Sequence, residues 1–202
     1  MLDILRLLLD GIFPTEPAVA ELRGATTENF LSHYHLHEFS NSIVLSDYAN
    51  PTVKAAVTAN KFHDYDRAAL LLSTLIDRWF TTLPTRPTLF IPIPLGPKRY
   101  KDRGYNQVTR VLQCLKSPNA TVAELLLRKI ETDPQTKLSR EQRLKNMHGV
   151  FAVSTAIKTT SNSRIVIVDD VITTGATLRE AKITLQTQVP DTSEILTLAL
   201  AH

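Results

Sequence analysis

The sequence predicts an α/β protein built on a parallel sheet, and three observations carry that prediction. Two apolar runs near the C-terminus, IVIV at 165–168 and ILTLALA at 195–201, are continuous rather than alternating, so both of their faces require cover. A helix is expected between them, over 176–188. Upstream, compact apolar stretches again alternate with amphipathic ones, and strands that alternate with helices assemble into parallel sheets. The 202 residues, 43% of them hydrophobic, suffice for one substantial core.

The elements can be justified in order. MLDILRLLLDGIF reads as an amphipathic helix ending at Gly11, because Asp3, Arg6 and Asp10 interrupt the apolar run where a signal peptide would keep it clean. No stretch approaches the ~18 apolar residues of a membrane span, so no membrane insertion and a cytoplasmic location are expected. Residues 1–42 are set apart as an N-terminal helix and extension, and residues 43–202 form the main domain. A strand is expected over 43–48. Pro51 suits the first turn of a helix running to about Lys61. Tyr65, Ala68, Leu72, Leu75 and Trp79 recur at helical spacing and predict a helix over 65–81. Thr88–Ile93 reads as a strand that stops at Pro92-Ile93-Pro94, before a basic loop over 95–104. A helix is expected over 107–116, with strands over 125–130 and 150–153. A polar stretch spans 131–146. The chain closes with a strand over 164–169, a loop over 171–175, the helix over 176–188 and a last strand over 193–201. Cys114 is the single cysteine, which excludes an intrachain disulfide, and in the apolar context VLQCL it reads as a buried inert thiol.

Charge is uneven beneath a net of +3. Residues 1–50 hold two basic and seven acidic side chains, whereas residues 98–110 hold five basic and one acidic. Residues 128–145 add six basic against three acidic. The second half therefore offers two positive segments to a polyanion.

The chemistry concentrates in IVIVDDVITTGAT. A buried strand runs into two carboxylates, then into a turn that opens a helix. The unpaired N–H groups of a helix N-terminus bind phosphate. Gly175 lets the backbone curl around such a group, and the hydroxyls of Thr173, Thr174 and Thr177 add donors. Asp169 and Asp170 would repel a bare phosphate. They make sense if the ligand also presents hydroxyls, or carries a metal ion between its anions. A phosphorylated ribose meets both demands.

This string resembles the signature with which type I phosphoribosyltransferases bind phosphoribosyl pyrophosphate (PRPP). The resemblance implies that fold: a parallel central sheet flanked by helices, with a small hood. It makes Asp169 and Asp170 the catalytic acids on the ribose hydroxyls. Thr173, Thr174, Gly175, Ala176 and Thr177 become the cradle of the 5′-phosphate, and Mg²⁺ is bound together with PRPP. IPIPLGPKRYKDRGYNQ further resembles the ComF family of competence proteins, as do the Asn60-Lys61-Phe62 region and the spacing of Gln135, Leu138, Arg143, Asn146, Gly149 and Phe151. By that likeness Pro92, Ile93, Pro94, Lys98, Arg99 and Arg103 form the pyrophosphate loop, in which proline makes a cis bond cheap. Arg143 belongs to the hood. Members of this family commonly carry a cysteine-rich zinc module near the N-terminus, and this chain has no cysteine there. His33, His35 and His37 alternate as they would on one face of a strand, but no Cys, Asp or Glu stands at familiar ligand spacing, so zinc is not expected. The family implies a role in DNA uptake during natural transformation, with single-stranded DNA and the import machinery as partners. The alternative is an active phosphoribosyltransferase that moves phosphoribosyl to a nucleobase-like acceptor and releases pyrophosphate.

Overall fold

The computed structural model describes residues 17–63, 65–129, 149–154, 163–190 and 193–202. The expected helix over 1–11 and the polar stretch 131–146, with Gln135, Leu138, Arg143 and Asn146, lie outside the described residues.

The centre is a six-stranded sheet of β1 (His37–Phe39), β2 (Ser42–Val44), β3 (Thr88–Pro92), β4 (Ala120–Val122), β7 (Arg164–Val171) and β8 (Glu194–Ala201), ordered β1-β2-β8-β7-β3-β4. Only the β1–β2 pair is antiparallel; every other neighbour runs parallel. The α/β expectation holds. The apolar runs behave as covered strands do: Ile165 and Ile167 enter one core, and Val166 and Val168 enter the other. The first core packs under α3 (Pro51–Phe62), α4 (Asp66–Phe80) and α6 (Gln107–Gln113); the second lies under α7 (Ala176–Gln186). Two short helices, α1 (Pro17–Glu21) and α2 (Thr27–Phe30), precede the sheet, and buried Leu22 and Phe30 join the first core. A separate antiparallel pair, β5 (Leu126–Arg128) with β6 (Phe151–Val153), covers the second core through Leu126 and Phe151.

Four expectations change. The basic stretch 95–104 is not a loop: Pro97–Arg103 forms α5, started by proline in its first turn and stopped at Gly104, whose φ is +82°. All peptide bonds among the described residues are trans, including those at Pro92 and Pro94. β4 was unforeseen; it is a three-residue edge strand in polar sequence, too short to show a period. Cys114 is half-buried rather than fully buried; its thiol donates to the Arg110 carbonyl at 3.4 Å, and burial pushes its pKa up.

Candidate functional site

The site is assembled where β3 and β7 end. β7 runs three residues past its apolar run, to Val171, and so carries both acids within the sheet, with Asp169 in register beside Ala199 of β8. Asp169 is half-buried and Asp170 is 6% exposed. Backbone geometry locks the pair: the Asp170 N–H donates to Asp169 Oδ1 at 2.9 Å, and the Val171 N–H donates to Asp170 Oδ1 at 2.6 Å.

Asp170 has further partners from two other elements. Lys61 at the end of α3 sets Nζ 3.0 Å from Oδ1, and Gln107 at the start of α6 donates Nε2 to Oδ2 at 2.6 Å. Arg103 in turn donates to Gln107 Oε1. Burial lowers the Arg103 pKa, while the charge of Asp170 opposes that shift. Asp169 is differently placed. Burial, then the neighbouring Asp170 charge, lift its carboxyl to about 7, against the lowering effects of the Asp170 N–H, Lys61 and Arg128. One carboxylate is thus charge-neutralised and the other is poised near neutrality.

Beyond Val171 the chain bends through buried Ile172, exposed Thr173 and half-buried Thr174 to Gly175, the N-cap of α7, at φ +75°. A Cβ at Gly175 would lie 2.5 Å from Ser40 Oγ, so the turn between β1 and β2 closes on this loop. Ser40 Oγ also donates to the Thr174 carbonyl at 3.2 Å. Ala176 is buried and Thr177 half-buried in the first turn of α7. The opposite wall is Pro92-Ile93-Pro94. It is held by the Ile93 N–H on the Val168 carbonyl at 2.8 Å and by Asn106 Nδ2 on the Ile93 carbonyl at 2.9 Å. Asn106 Oδ1 simultaneously caps α6 by accepting from the Val108 N–H. Gln107 Nε2 and the Ile93 N–H thus tie the proline wall to the acid strand, whereas Lys98 and Arg99 stand exposed on α5.

Of the site residues expected from sequence, the structure brings Asp169, Asp170, Pro92, Ile93, Pro94 and Arg103 together with the Thr173–Thr177 turn. It leaves Lys98 and Arg99 on the surface. It adds Lys61, Gln107 and Ser40. The first two fall inside stretches that carried the family likeness. Ser40 had one signal, a Ser-Asn pair suited to a turn between two apolar runs.

Comparison with known proteins finds similar sequences. Competence protein F of Haemophilus influenzae is 34% identical over 121 residues, 58% of this chain and 52% of that protein. The chain is similar to ComF proteins. Competence protein ComFC of Bacillus subtilis is 31% identical over 103 residues, covering 48% of the chain and 38% of ComFC. The DNA utilization protein YhgH of Salmonella typhi is 31% identical over 146 residues, covering 68% and 62%. The chain therefore spans about half the length of these relatives, between 38% and 62%. No family model matches the chain. Among solved structures, adenine phosphoribosyltransferase from Leishmania tarentolae superposes at a TM-score of 0.43 and 13% identity, over 82% of this chain and 80% of that one. Hypoxanthine phosphoribosyltransferase from Staphylococcus aureus gives 0.35 at 15% identity, over 66% and 63%.

Proposed function

We propose that this chain binds PRPP at the Asp169–Thr177 turn and acts, as a ComF-type protein, in the uptake and use of external DNA. The observation that carries the reading is the acid pair on β7 set close to the glycine-capped N-terminus of α7. Lys61 and Gln107 compensate Asp170, but the second carboxylate beside it, Asp169, costs desolvation that the hydroxyls of a ligand would offset. A ribose diol would donate to the two carboxylates. The 5′-phosphate would accept from the N–H groups and hydroxyls of 173–177, and the diphosphate would face the Pro92–Pro94 wall and Arg103. The hard carboxylate oxygens also fit Mg²⁺ accompanying the diphosphate, where the ion would neutralise anionic oxygens.

An active transferase is the second reading, favoured by Lys61 and Arg103 lying close to the acids. In it an acceptor nitrogen attacks the anomeric carbon, the bond from that carbon to the pyrophosphate oxygen breaks, and cations stabilise the departing diphosphate. Direct DNA contact is supported by exposed Lys98, Arg99 and Lys101 on α5 beside Tyr100, which is 53% exposed and available to stack on a base. No described helix is long and apolar enough to cross a membrane, which accords with a cytoplasmic role.

Calorimetric titration of PRPP with Mg²⁺, repeated in EDTA, tests the core of the proposal. One-to-one, magnesium-dependent binding supports it, and absence of heat under both conditions removes it. Release of pyrophosphate with a nucleobase separates the transferase from the non-catalytic binder. Gel shifts with single-stranded DNA at rising salt test nucleic-acid contact, whose affinity must fall steeply.

A further inference from the structure

The side of the sheet occupied by the β1–β2 hairpin carries a cluster that the acid site does not use. We propose that His35, His37 and Asp47 form a transition-metal site suited to zinc. One ligand-capable atom from each of the three lies within 4.8 Å of the other two. Tetrahedral zinc with bonds of about 2.1 Å requires donor atoms roughly 3.4 Å apart, so the three side chains need to close by about 1.4 Å at most.

The backbone beneath them is fixed. The His35 N–H donates to the Leu45 carbonyl at 2.8 Å, and His37 pairs with Val44 in the hairpin. Asp47 is gripped from both sides, because the His202 N–H donates to the Ser46 carbonyl and the Tyr48 N–H to the His202 carbonyl. The two imidazoles present different nitrogens to the ion. His35 Nδ1 lies 2.9 Å from Asp47 Oδ2, so the ion would enter between these two atoms and replace the proton they share. His37 Nδ1 lies 3.1 Å from the His35 carbonyl, which only accepts, so it carries the proton and Nε2 keeps its lone pair. Metal-binding histidines are commonly oriented by such a carbonyl. The ring centroids of His35 and His37 are 5.1 Å apart, close to the roughly 5 Å expected for two imidazoles on one tetrahedral ion.

Two nitrogens with one carboxylate select a borderline ion over Mg²⁺ or Ca²⁺, which prefer oxygen alone. His202, stacked on Phe39 at 3.7 Å and 6.2 Å from His37 between centroids, is the next imidazole along and a candidate fourth donor. Alternation along the chain had suggested His33, His35 and His37 as one face. Instead Asn50 Nδ2 lies 3.2 Å from His33 Nδ1, and Asp47, ten residues beyond His37, takes the third place. The bound ion would staple the β1–β2 hairpin to the end of β8.

The test is calorimetric titration of Zn²⁺ into the metal-stripped full chain, with Co²⁺ absorption to read coordination and Tm measured with and without metal. One equivalent of Zn²⁺ is expected, with a tetrahedral Co²⁺ spectrum and a rise in Tm. His37→Ala should abolish all three signals, Asp47→Asn should weaken zinc by at least the roughly 10- to 100-fold that losing an outer partner costs, and His33→Ala should change nothing. His37→Gln keeps the size and polarity of the side chain, should His37→Ala fail to fold. No zinc bound by the folded chain, or zinc bound equally well by the folded His37→Gln protein, overturns the site.

Discussion

The two charged halves of the candidate site are built by opposite means. The acids sit within the sheet, where β7 still pairs with β8 beyond the end of β3, and the N–H groups of Asp170 and Val171 are committed to the two carboxylates. The cations come from helix ends: Lys61 at the last turn of α3, Arg103 at the last turn of α5, with Lys98 and Arg99 fully on the surface. Lys61 and Arg103, part-buried at helix C-termini, gain from the helix dipole, whereas Lys98 and Arg99 in the first turn of α5 do not. A site with one rigid pole and one adjustable pole can hold a ribose in fixed register while its flexible phosphates are gathered from outside.

The strongest way to break this comparison is at the rigid pole. Gly175→Val places a β-branched residue at φ +75° and drives its Cβ into Ser40. The backbone strain alone should cost about 1–3 kcal/mol, seen as a fall in Tm with loss of PRPP binding. Ser40→Gly in the same chain should recover part of the loss, because position 40 itself has φ +52° and glycine accepts it. No recovery would show that the hairpin turn is not what closes on the loop.

Asp170→Asn is next. It removes a charged hydroxyl acceptor and strands Lys61, so PRPP affinity should fall by about 1.5–3 kcal/mol. An unchanged affinity would mean that the acid pair faces something other than the ligand.

Asp169 gives a pH signature with a definite sign. Its folded pKa, about 7, lies above the ordinary value of 3.8, so the stability it confers is complete below the ordinary value and is lost as pH rises through 7. The ligand-free chain should therefore show a lower Tm at pH 8 than at pH 5. Asp169→Asn should flatten that part of the profile. A profile identical in both proteins would place the titration elsewhere.

The same division decides what could be read without the fold. The acids, the threonine turn, Gly175 and the proline pair are contiguous, and a strand–turn–helix is a local object whose apolar run, breaker and cap stand in sequence order. Lys61, Gln107 and Ser40 reach the site through the crossing of β7 with α3, α6 and the hairpin. Gln107 and Asp170 are 63 residues apart, and no periodicity reports such a contact. Helix α5 shows a different failure. Pro97 and Gly104 are a start and a stop signal at the proper ends of a helix, but Pro97–Arg103 carries no apolar stripe, so no periodicity marks the stretch as helical. The histidines show a third, since alternation by two presumed a strand, whereas His33 closes a 3-10 turn and only His37 lies in β1.

The adjustable pole should give the smallest effects. Lys98→Ala and Arg99→Ala each remove an exposed charge with its own hydration, so each should weaken PRPP by only about 0.2–1 kcal/mol. The loss should shrink further as salt screens it. Arg103→Ala should cost more than either, because that side chain is half-buried and bonded to Gln107, which holds Asp170. Titrations at low and high salt separate the three. If Lys98→Ala matches Arg103→Ala and resists salt, α5 must close onto the ligand and exclude water, and the adjustable pole is as ordered in the complex as the acid strand.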